Sequence, residues 1–354
     1  MPSRKAEQII KVLRDEIVSG TRAPGSRLPT YDALMEQFHV TRPTVARVVA
    51  ALRDEGLITS HGERSLFVSD ALPHHNRYLW VTSEQPGSFE WTNFLATFLE
   101  LIERGETGLS GEVTALVGVD GRENNPAYQK LCEVIEQGSA AGLFLMSSST
   151  MFLLPVLQTA ALPRAAIWAA LPHSGLLQLD FAGLIDRAAE RLIEHGERIA
   201  VLSPHAPNLA EAQQRLLARG LSRQDLLPLH VGPVGCEHVT QLLFDRADRP
   251  DALFITDDNL VEPVLEGLKL ANVTPGRDVY VLSHCNWPRP YGADAGIEHI
   301  GFDVREILSV AADCMRAQRA GETEPVRRVG ARFREELLTS ARISVAPASA
   351  TSAE

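Results

Sequence analysis

Few of the sequence patterns that mark an enzyme or a metalloprotein occur in this chain. No GxxxxGK[ST] or GxGxxG phosphate loop follows a strand pattern, and no GxSxG, HExxH or Cys/His catalytic spacing is present. The four cysteines (Cys132, Cys236, Cys285 and Cys314) are scattered, without the paired spacing of a metal site. We therefore predict a protein that is not an enzyme, that holds no cofactor or metal, and whose thiols are reduced.

Long apolar runs are also missing. The N-terminal sequence MPSRKAEQIIKVLRDEIV is charged and amphipathic, unlike a signal peptide or a membrane span. Hydrophobic residues make up 45% of the chain and charged residues 22%, a composition typical of soluble globular proteins. At 354 residues, the chain is long enough for two or three domains. We expect a cytoplasmic protein that does not associate with membranes.

Positive charge is scarce overall but unevenly distributed. The net charge is −11, which by itself argues against a nucleic-acid partner. Residues 1–70, however, carry 10 basic and 9 acidic side chains, whereas the rest of the chain carries 24 basic and 36 acidic ones. The acidic bulk therefore lies outside the N-terminal segment, whose arginines remain available to DNA phosphates.

Residues 24–68 contain two short helical patterns around a tight polar turn. Thr30 is placed to cap the first helix, and Thr41 to cap the second. The second helix carries an apolar stripe at helical spacing, formed by Val45, Val48, Val49 and Leu52. The opposite face is small and basic, with Pro43, Ala46, Arg47 and Ala50, and Arg42 on its flank. A helix of this kind suits the major groove of DNA.

The runs PGSRLPT and VTRPTVARVVAALRDEGLI, followed by an extended Phe-Val pair, resemble the winged helix-turn-helix of GntR-type transcription regulators. The resemblance covers residues 4–68 and implies DNA contacts by Arg42 and Arg47. It also implies weaker backbone contacts by Thr44, His61 and Arg64, for which an ordinary surface role is the alternative. The chain departs from the family at Asp32, where a basic residue is common.

After residue 70 the pattern changes. Residues 71–77 are polar and rich in turn formers, and we interpret them as an exposed linker, paired histidines included. Residues 78–340 alternate short apolar strands with amphipathic helices, which predicts a doubly wound α/β domain. The strand candidates are 78–82, 113–119, 143–147, 165–169, 199–203, 227–231, 252–256 and 279–283. The small polar residues 341–354 predict a disordered tail.

The stretches Leu177–Ser203 and Arg249–Ser283 resemble the effector domain of LacI/GalR-type regulators, a fold shared with periplasmic sugar-binding proteins. The resemblance implies two doubly wound subdomains with parallel sheets, a ligand cleft between them, and three crossing segments. These crossings are expected near Leu171–Ser174, near His284–Trp287 and near Gly321–Glu324.

The same resemblance suggests ligand-binding residues. Asp258 follows a strand where the family has an aspartate that accepts hydrogen bonds from ligand hydroxyls, although it could instead cap the next helix. Three tryptophans at strand ends, Trp91, Trp168 and Trp287, could stack on a sugar ring or belong to the core. Further polar candidates are Ser148, Asn208 and Asn286.

These patterns predict a ligand-responsive transcription repressor that binds an operator as a homodimer and senses a small neutral sugar or polyol. One alternative is a DNA-binding head fused to a catalytic α/β domain, as in GntR-type proteins that resemble aminotransferases. This chain is short for that, and no lysine has a recognisable cofactor setting. A transport solute-binding protein is the other alternative, and it leaves the DNA-binding head unexplained.

Overall fold

The computed structural model describes residues 4–18, 21–61, 65–70, 72–146, 150–159, 162–167, 175–322 and 326–345. The chain divides into two compact units. The first contains Met1–Glu90, Ile102–Leu177 and Ala311–Val326, and the second contains Trp91–Leu101, Gln178–Val310 and Arg327–Glu354. No helix in the described part of the chain is both long and apolar enough to cross a membrane.

The N-terminal head is a winged helix-turn-helix. Its elements are α1 (Arg4–Val18), α2 (Tyr31–Phe38), α3 (Arg42–Asp54), β1 (Ile58–His61) and β2 (Ser65–Val68), and the two strands pair antiparallel. The Thr30 side chain accepts a hydrogen bond from Ala33 N at 3.3 Å, as predicted for the cap of α2. Thr41 makes no such bond. Its hydroxyl instead lies 3.2 Å from that of Thr44, so the predicted side-chain cap of α3 is wrong.

The segment between the head and the first sheet is packed at Leu72, Pro73 and His74, whereas His75 is exposed as predicted. Leu72 belongs to the hydrophobic core of the head, and Pro73–Asn76 form a short helix, α4. His74, predicted to be a solvated linker residue, is only 5% exposed. The prediction for His74 was wrong because a polar, histidine-rich segment is usually solvated, whereas here α4 packs against its neighbours.

The first sheet contains parallel strands whose short apolar sequences are buried on both faces. Its strands are β3 (Arg77–Val81), β4 (Glu112–Leu116), β5 (Gly142–Leu145), β6 (Arg164–Ile167), β7 (Gly175–Leu179) and β13 (Arg327–Val329), in the order β4-β3-β5-β6-β7-β13. The helices that follow these strands in the chain are α5 (Asn93–Glu103), α6 (Pro126–Gln137) and α7 (Pro155–Thr159).

The second sheet has the same doubly wound plan. Its strands are β8 (Ile199–Ser203), β9 (Leu226–His230), β10 (Ala252–Ile255), β11 (Tyr280–Trp287), β12 (Ile297–Asp303) and β14 (Arg332–Phe333), in the order β9-β8-β10-β11-β12-β14. Only β14 is antiparallel to its neighbour. The associated helices are α8 (Phe181–His195), α9 (Ala206–Ala218), α10 (Cys236–Phe244), α11 (Val261–Leu270), α12 (Val304–Arg319) and α13 (Arg334–Val345).

The strand–helix alternation predicted from the sequence is confirmed, although β7, β12, β13 and β14 were not among the predicted strands. Two further expectations differ from the structure. The chain passes between the units after Glu90, Leu101, Leu177, Val310 and Val326. The crossing predicted near His284–Trp287 is therefore wrong, because those residues end the long strand β11 inside the second unit. The first predicted crossing lies outside the described residues. Helix α13 extends to Val345, although disorder was predicted from residue 341.

Candidate DNA-binding surface and effector site

Helix α3 separates an apolar face from a basic one, as its periodicity predicts. Its buried residues are Val45, Val48, Val49 and Leu52. Its exposed residues include Arg42, Pro43, Ala46, Arg47 and Ala50. The face turned away from the core of the head therefore presents two guanidinium groups on a surface of small side chains, a shape that can approach base edges in a major groove.

Arg42 is oriented by two residues of α2. Its guanidinium carbon lies 5.6 Å from the centre of the Tyr31 ring, and its Nη1 lies 3.8 Å from Asp32 Oδ1. Thr44, two residues after Arg42, is half-buried, and its hydroxyl faces that of Thr41. His61 ends β1 opposite Ser65, and Arg64 lies outside the described residues. Asp32 is the residue at which the chain departs from the family, and the sequence did not reveal that it lies beside Arg42.

A cluster of polar side chains lies where β8, β10 and β11 end. The polar cluster, as we name it, consists of Ser203, His205, Thr256, Asp257, Asp258, His284 and Asn286. Carboxyl ends of parallel strands meet at one edge of the sheet, which brings together residues far apart in sequence. Thr256 Oγ1 donates to Ser203 Oγ at 2.7 Å, and Asn286 Nδ2 donates to Asp258 Oδ2 at 2.7 Å. His205 Nε2 lies 3.1 Å from Asp257 Oδ2.

The pKa values of the two adjacent aspartates of the polar cluster are shifted in opposite directions. Burial and the neighbouring charge of Asp257 raise the pKa of Asp258 to about 8. Burial also opposes ionisation of Asp257, but hydrogen bonds from His205 and Asn259 outweigh it and hold the pKa of that carboxyl below its ordinary value. Asp258 is therefore protonated near pH 7, and Asp257 is the carboxylate of the pair.

The histidines of the polar cluster also differ. The hydrogen bond with Asp257 raises the pKa of the exposed His205. Burial lowers the pKa of His284 to about 4, so its imidazole is neutral near pH 7. With Asp258 protonated and His284 neutral, the groups around Asn286 carry little net charge, and they suit a polar ligand that is itself uncharged.

The first turn of α5 contacts this cluster through a residue that the sequence did not single out. The Asn93 amide N–H donates to Asn259 Oδ1 at 2.9 Å, and its side-chain Nδ2 donates to the carbonyl oxygen of Asp258 at 3.0 Å. Asp257 caps the short 3-10 turn that begins at Asp258, accepting from Asn259 N at 2.9 Å. The capping role considered for Asp258 therefore belongs to its neighbour.

The predicted ligand residues have different environments. Asp258 and Asn286 are bonded to each other inside the polar cluster. Trp287, predicted as a stacking surface, is 4% exposed and its indole N–H donates to Arg332 O at 3.0 Å, so it belongs to the core. Trp91 is half-buried two residues before Asn93, and Asn208 lies in the first turn of α9. Ser148 and Trp168 lie outside the described residues.

Among the described residues, no group of three or more His, Cys, Asp or Glu side chains is arranged to hold a metal ion. His205 and His284 are the residues of the polar cluster that sequence reasoning missed most clearly. The only available signal was their position after strand patterns, which a core histidine shares.

Comparison with known proteins assigns the two parts of the chain separately. Residues 5–68 match the family model of bacterial regulatory proteins, gntR family. No curated protein matches the sequence. The rest of the chain has the fold of LacI-family regulators. A LacI family transcriptional regulator from Enterococcus faecium with bound ribose is 14% identical, with a TM-score of 0.51 over 72% of this chain and 96% of that one.

Two further solved structures agree. A regulatory protein of the LacI family from Chloroflexus aggregans is 17% identical, with a TM-score of 0.54 over 72% of this chain and 96% of that one. A periplasmic binding protein/LacI transcriptional regulator from Alkaliphilus metalliredigens QYMF, complexed with D-xylulofuranose, is 11% identical, with a TM-score of 0.51 over the same shares of the two chains. The chain is thus a DNA-binding transcription regulator with a gntR-type head and a second part that has the fold of LacI-family regulators.

Proposed function

We propose that this gntR-type head and LacI-like body form a repressor that binds its operator as a homodimer and responds to a neutral sugar or polyol. The polar cluster is the observation that carries the effector half of this proposal. It combines hydrogen-bond donors with acceptors, its carboxylate Asp257 is already bonded to His205, and none of its seven residues is lysine or arginine. Hydroxyl groups both donate and accept, so a sugar or polyol matches such a site.

The DNA half rests on α3. Its exposed basic face would enter the major groove of one half-site, and the head of a second subunit would occupy the other, about 34–36 Å away or a multiple of that distance. Two related folds were solved with ribose and with D-xylulofuranose. We extend the class of those ligands, neutral sugars, to this chain, and we place its action in the cytoplasm, where the DNA is.

A thermal-shift screen of the full-length protein tests the effector class. The panel contains D-ribose, D-xylulose and glycerol, with ribose 5-phosphate as the charged control. A ligand at about 100 times its dissociation constant stabilises the folded state by about 2.7 kcal/mol, which raises the melting temperature measurably. We expect a shift with a neutral member and, in gel-shift titrations, weaker operator binding in its presence. Stabilisation by ribose 5-phosphate alone would contradict a neutral effector.

The proposed dimer should form through the second unit. Three apolar side chains there are exposed in and around α10 and α11: Val234 (87%), Leu242 (70%) and Leu270 (44%). Burying such side chains against a second copy is favourable because it removes apolar area from water. We expect Leu242→Glu to shift the protein towards a monomer in light scattering. Leu338→Glu, at another exposed leucine (57%) on α13, should leave it dimeric. A monomeric wild type would contradict the proposal.

A further inference from the structure

His284 is a buried histidine whose ring nitrogens make no hydrogen bond to the described residues. It is 7% exposed, and neither Nδ1 nor Nε2 has a hydrogen-bond partner in the part of the chain that the structure describes. His299, on the adjacent strand β12, is equally buried, but its Nε2 is paired with the carbonyl oxygen of Tyr291 at 2.8 Å. Leaving a buried polar group unpaired lowers stability, so a purely structural position would favour an apolar side chain over a histidine.

Asn286 is a second buried residue whose side chain does not use all of its hydrogen-bonding groups among the described residues. It is fully buried, and its Nδ2 donates to Asp258, but its Oδ1 has no partner among the described residues. His284 and Asn286 are two residues apart on β11, so their side chains lie on the same face of the strand. That face therefore offers one donor and one acceptor from a neutral imidazole and a further acceptor from the amide.

An aromatic ring lies beside these polar atoms. Phe181, the first residue of α8, is half-buried, and its ring centre is 5.9 Å from that of His284. Behind both is the fully buried Phe302, with ring centres 5.0 Å from Phe181 and 5.9 Å from His284. Phe181 thus presents an apolar surface next to unpaired polar atoms, a combination that suits a sugar, whose ring has an apolar C–H face and a polar edge.

We infer that His284 determines the specificity of the effector site, and that it selects ligands carrying two adjacent hydroxyl groups. One hydroxyl bonds with the imidazole, and its neighbour donates to Asn286 Oδ1, while the C–H face of the ligand lies on Phe181. This inference rests on the proposed sugar or polyol effector. It adds the residue that recognises the diol, and it assigns to Phe181 the stacking role that the sequence had suggested for Trp287.

The charge of the surroundings favours a hydroxyl partner for His284 over an ion. The facing carboxylate, Asp257, is already hydrogen-bonded to His205, and Asp258 to Asn286. His299, the other titratable group that acts on His284, is bonded to Tyr291. A cationic ligand would compete with His205 for Asp257, and an anionic ligand would lie against that carboxylate, so both are disfavoured.

Calorimetry on the full-length protein tests the inference with D-ribose, D-xylulose and 2-deoxy-D-ribose as probes. His284→Phe keeps an aromatic ring but removes both polar atoms, and His284→Gln restores a donor and an acceptor. His195→Gln is the control, because His195 stacks on Tyr280 at 4.1 Å, away from the polar cluster. Melting curves without ligand show whether each variant is folded.

We expect His284→Phe to bind the pentose preferred by the wild type roughly ten- to hundred-fold more weakly, the size of one or two lost hydrogen bonds to a buried group. His284→Gln should recover part of that loss, and His195→Gln should match the wild type. The wild type should prefer D-ribose to 2-deoxy-D-ribose, and His284→Phe should lose that preference. Without ligand, His284→Phe should melt at or above the wild-type temperature.

Two results would overturn the inference in distinguishable ways. If the wild type binds a pentose and a folded His284→Phe variant binds it equally well, the role of His284 is wrong and the effector class stands. If the wild type binds none of the probes, the effector class fails, and the inference fails with it.

Discussion

Replacing Arg47 by alanine should weaken operator binding by about 1–3 kcal/mol, and replacing Arg42 should cause a loss of the same order. Both side chains are exposed on the face of α3 opposite the buried valines, so neither change removes a contact of the core. A bidentate arginine–guanine contact contributes about this much discrimination, and its loss is confined to one base position. The Arg42 effect should depend on Asp32 and Tyr31, which orient its guanidinium.

The measurement is a gel-shift titration on an operator selected with the wild-type protein from random-sequence DNA. Arg53→Ala is a matched control, since Arg53 is an exposed arginine in the last turn of the same helix. It should lower the affinity only slightly and equally for all sequences, as expected for a phosphate contact or none. If Arg42→Ala, Arg47→Ala and Arg53→Ala all retain wild-type affinity, α3 is not the reading helix.

Asp258→Asn should stabilise the folded protein, and the gain should grow with pH. Below about pH 4, Asp258 is protonated in both the folded and the unfolded state. Between about pH 4 and pH 8 only the folded state keeps the proton, because the pKa of Asp258 is about 8 in the fold and near 4 in the unfolded chain. The unfolded state then binds fewer protons, so the free energy of unfolding falls as pH rises through this window.

One such group contributes a slope of at most about 1.4 kcal/mol per pH unit, and asparagine removes it while still accepting from Asn286. Melting temperatures of wild type and Asp258→Asn between pH 5 and pH 8 measure the difference. Asp294→Asn, a change at an exposed aspartate outside the polar cluster, should leave the wild-type pH profile unchanged. Parallel profiles for wild type and Asp258→Asn would show that Asp258 is ionised in the fold throughout this range.

Local periodicity was enough to predict α3 and its two faces. The spacing of Val45, Val48, Val49 and Leu52 defines a buried face without knowledge of any distant residue, and the opposite face followed by geometry. Strand β12 was missed because its sequence can be recognised as a strand only together with distant residues. Its sequence IEHIGFD places Glu298 and His299 among apolar residues, and their compatibility with a covered strand depends on partners elsewhere, Tyr280 and Tyr291.

The polar cluster, our proposed effector site, could be predicted only as a location. Strand ends indicated Asp258 and Asn286, but their mutual hydrogen bond joins residues 28 apart. Trp287 looked like a stacking residue because no sequence pattern shows that its indole N–H reaches Arg332, 45 residues away. His284 was overlooked because a single histidine in an apolar strand is usually a satisfied core residue. Its missing partners are visible only when the three-dimensional surroundings are known.

In the proposed homodimer, the packed junction between the head and the first sheet should limit which operators fit. Leu72 lies in the head's own core, α4 buries His74, and Val18 of α1 lies 3.6 Å from the position that a β-carbon on Gly138 would take. A head on a flexible tether can search a range of positions and tolerate insertions between half-sites. A head fixed in this way occupies one position relative to the first sheet. Adding or removing five base pairs between the half-sites, half a turn of DNA, should therefore place the second half-site on the wrong face of the duplex.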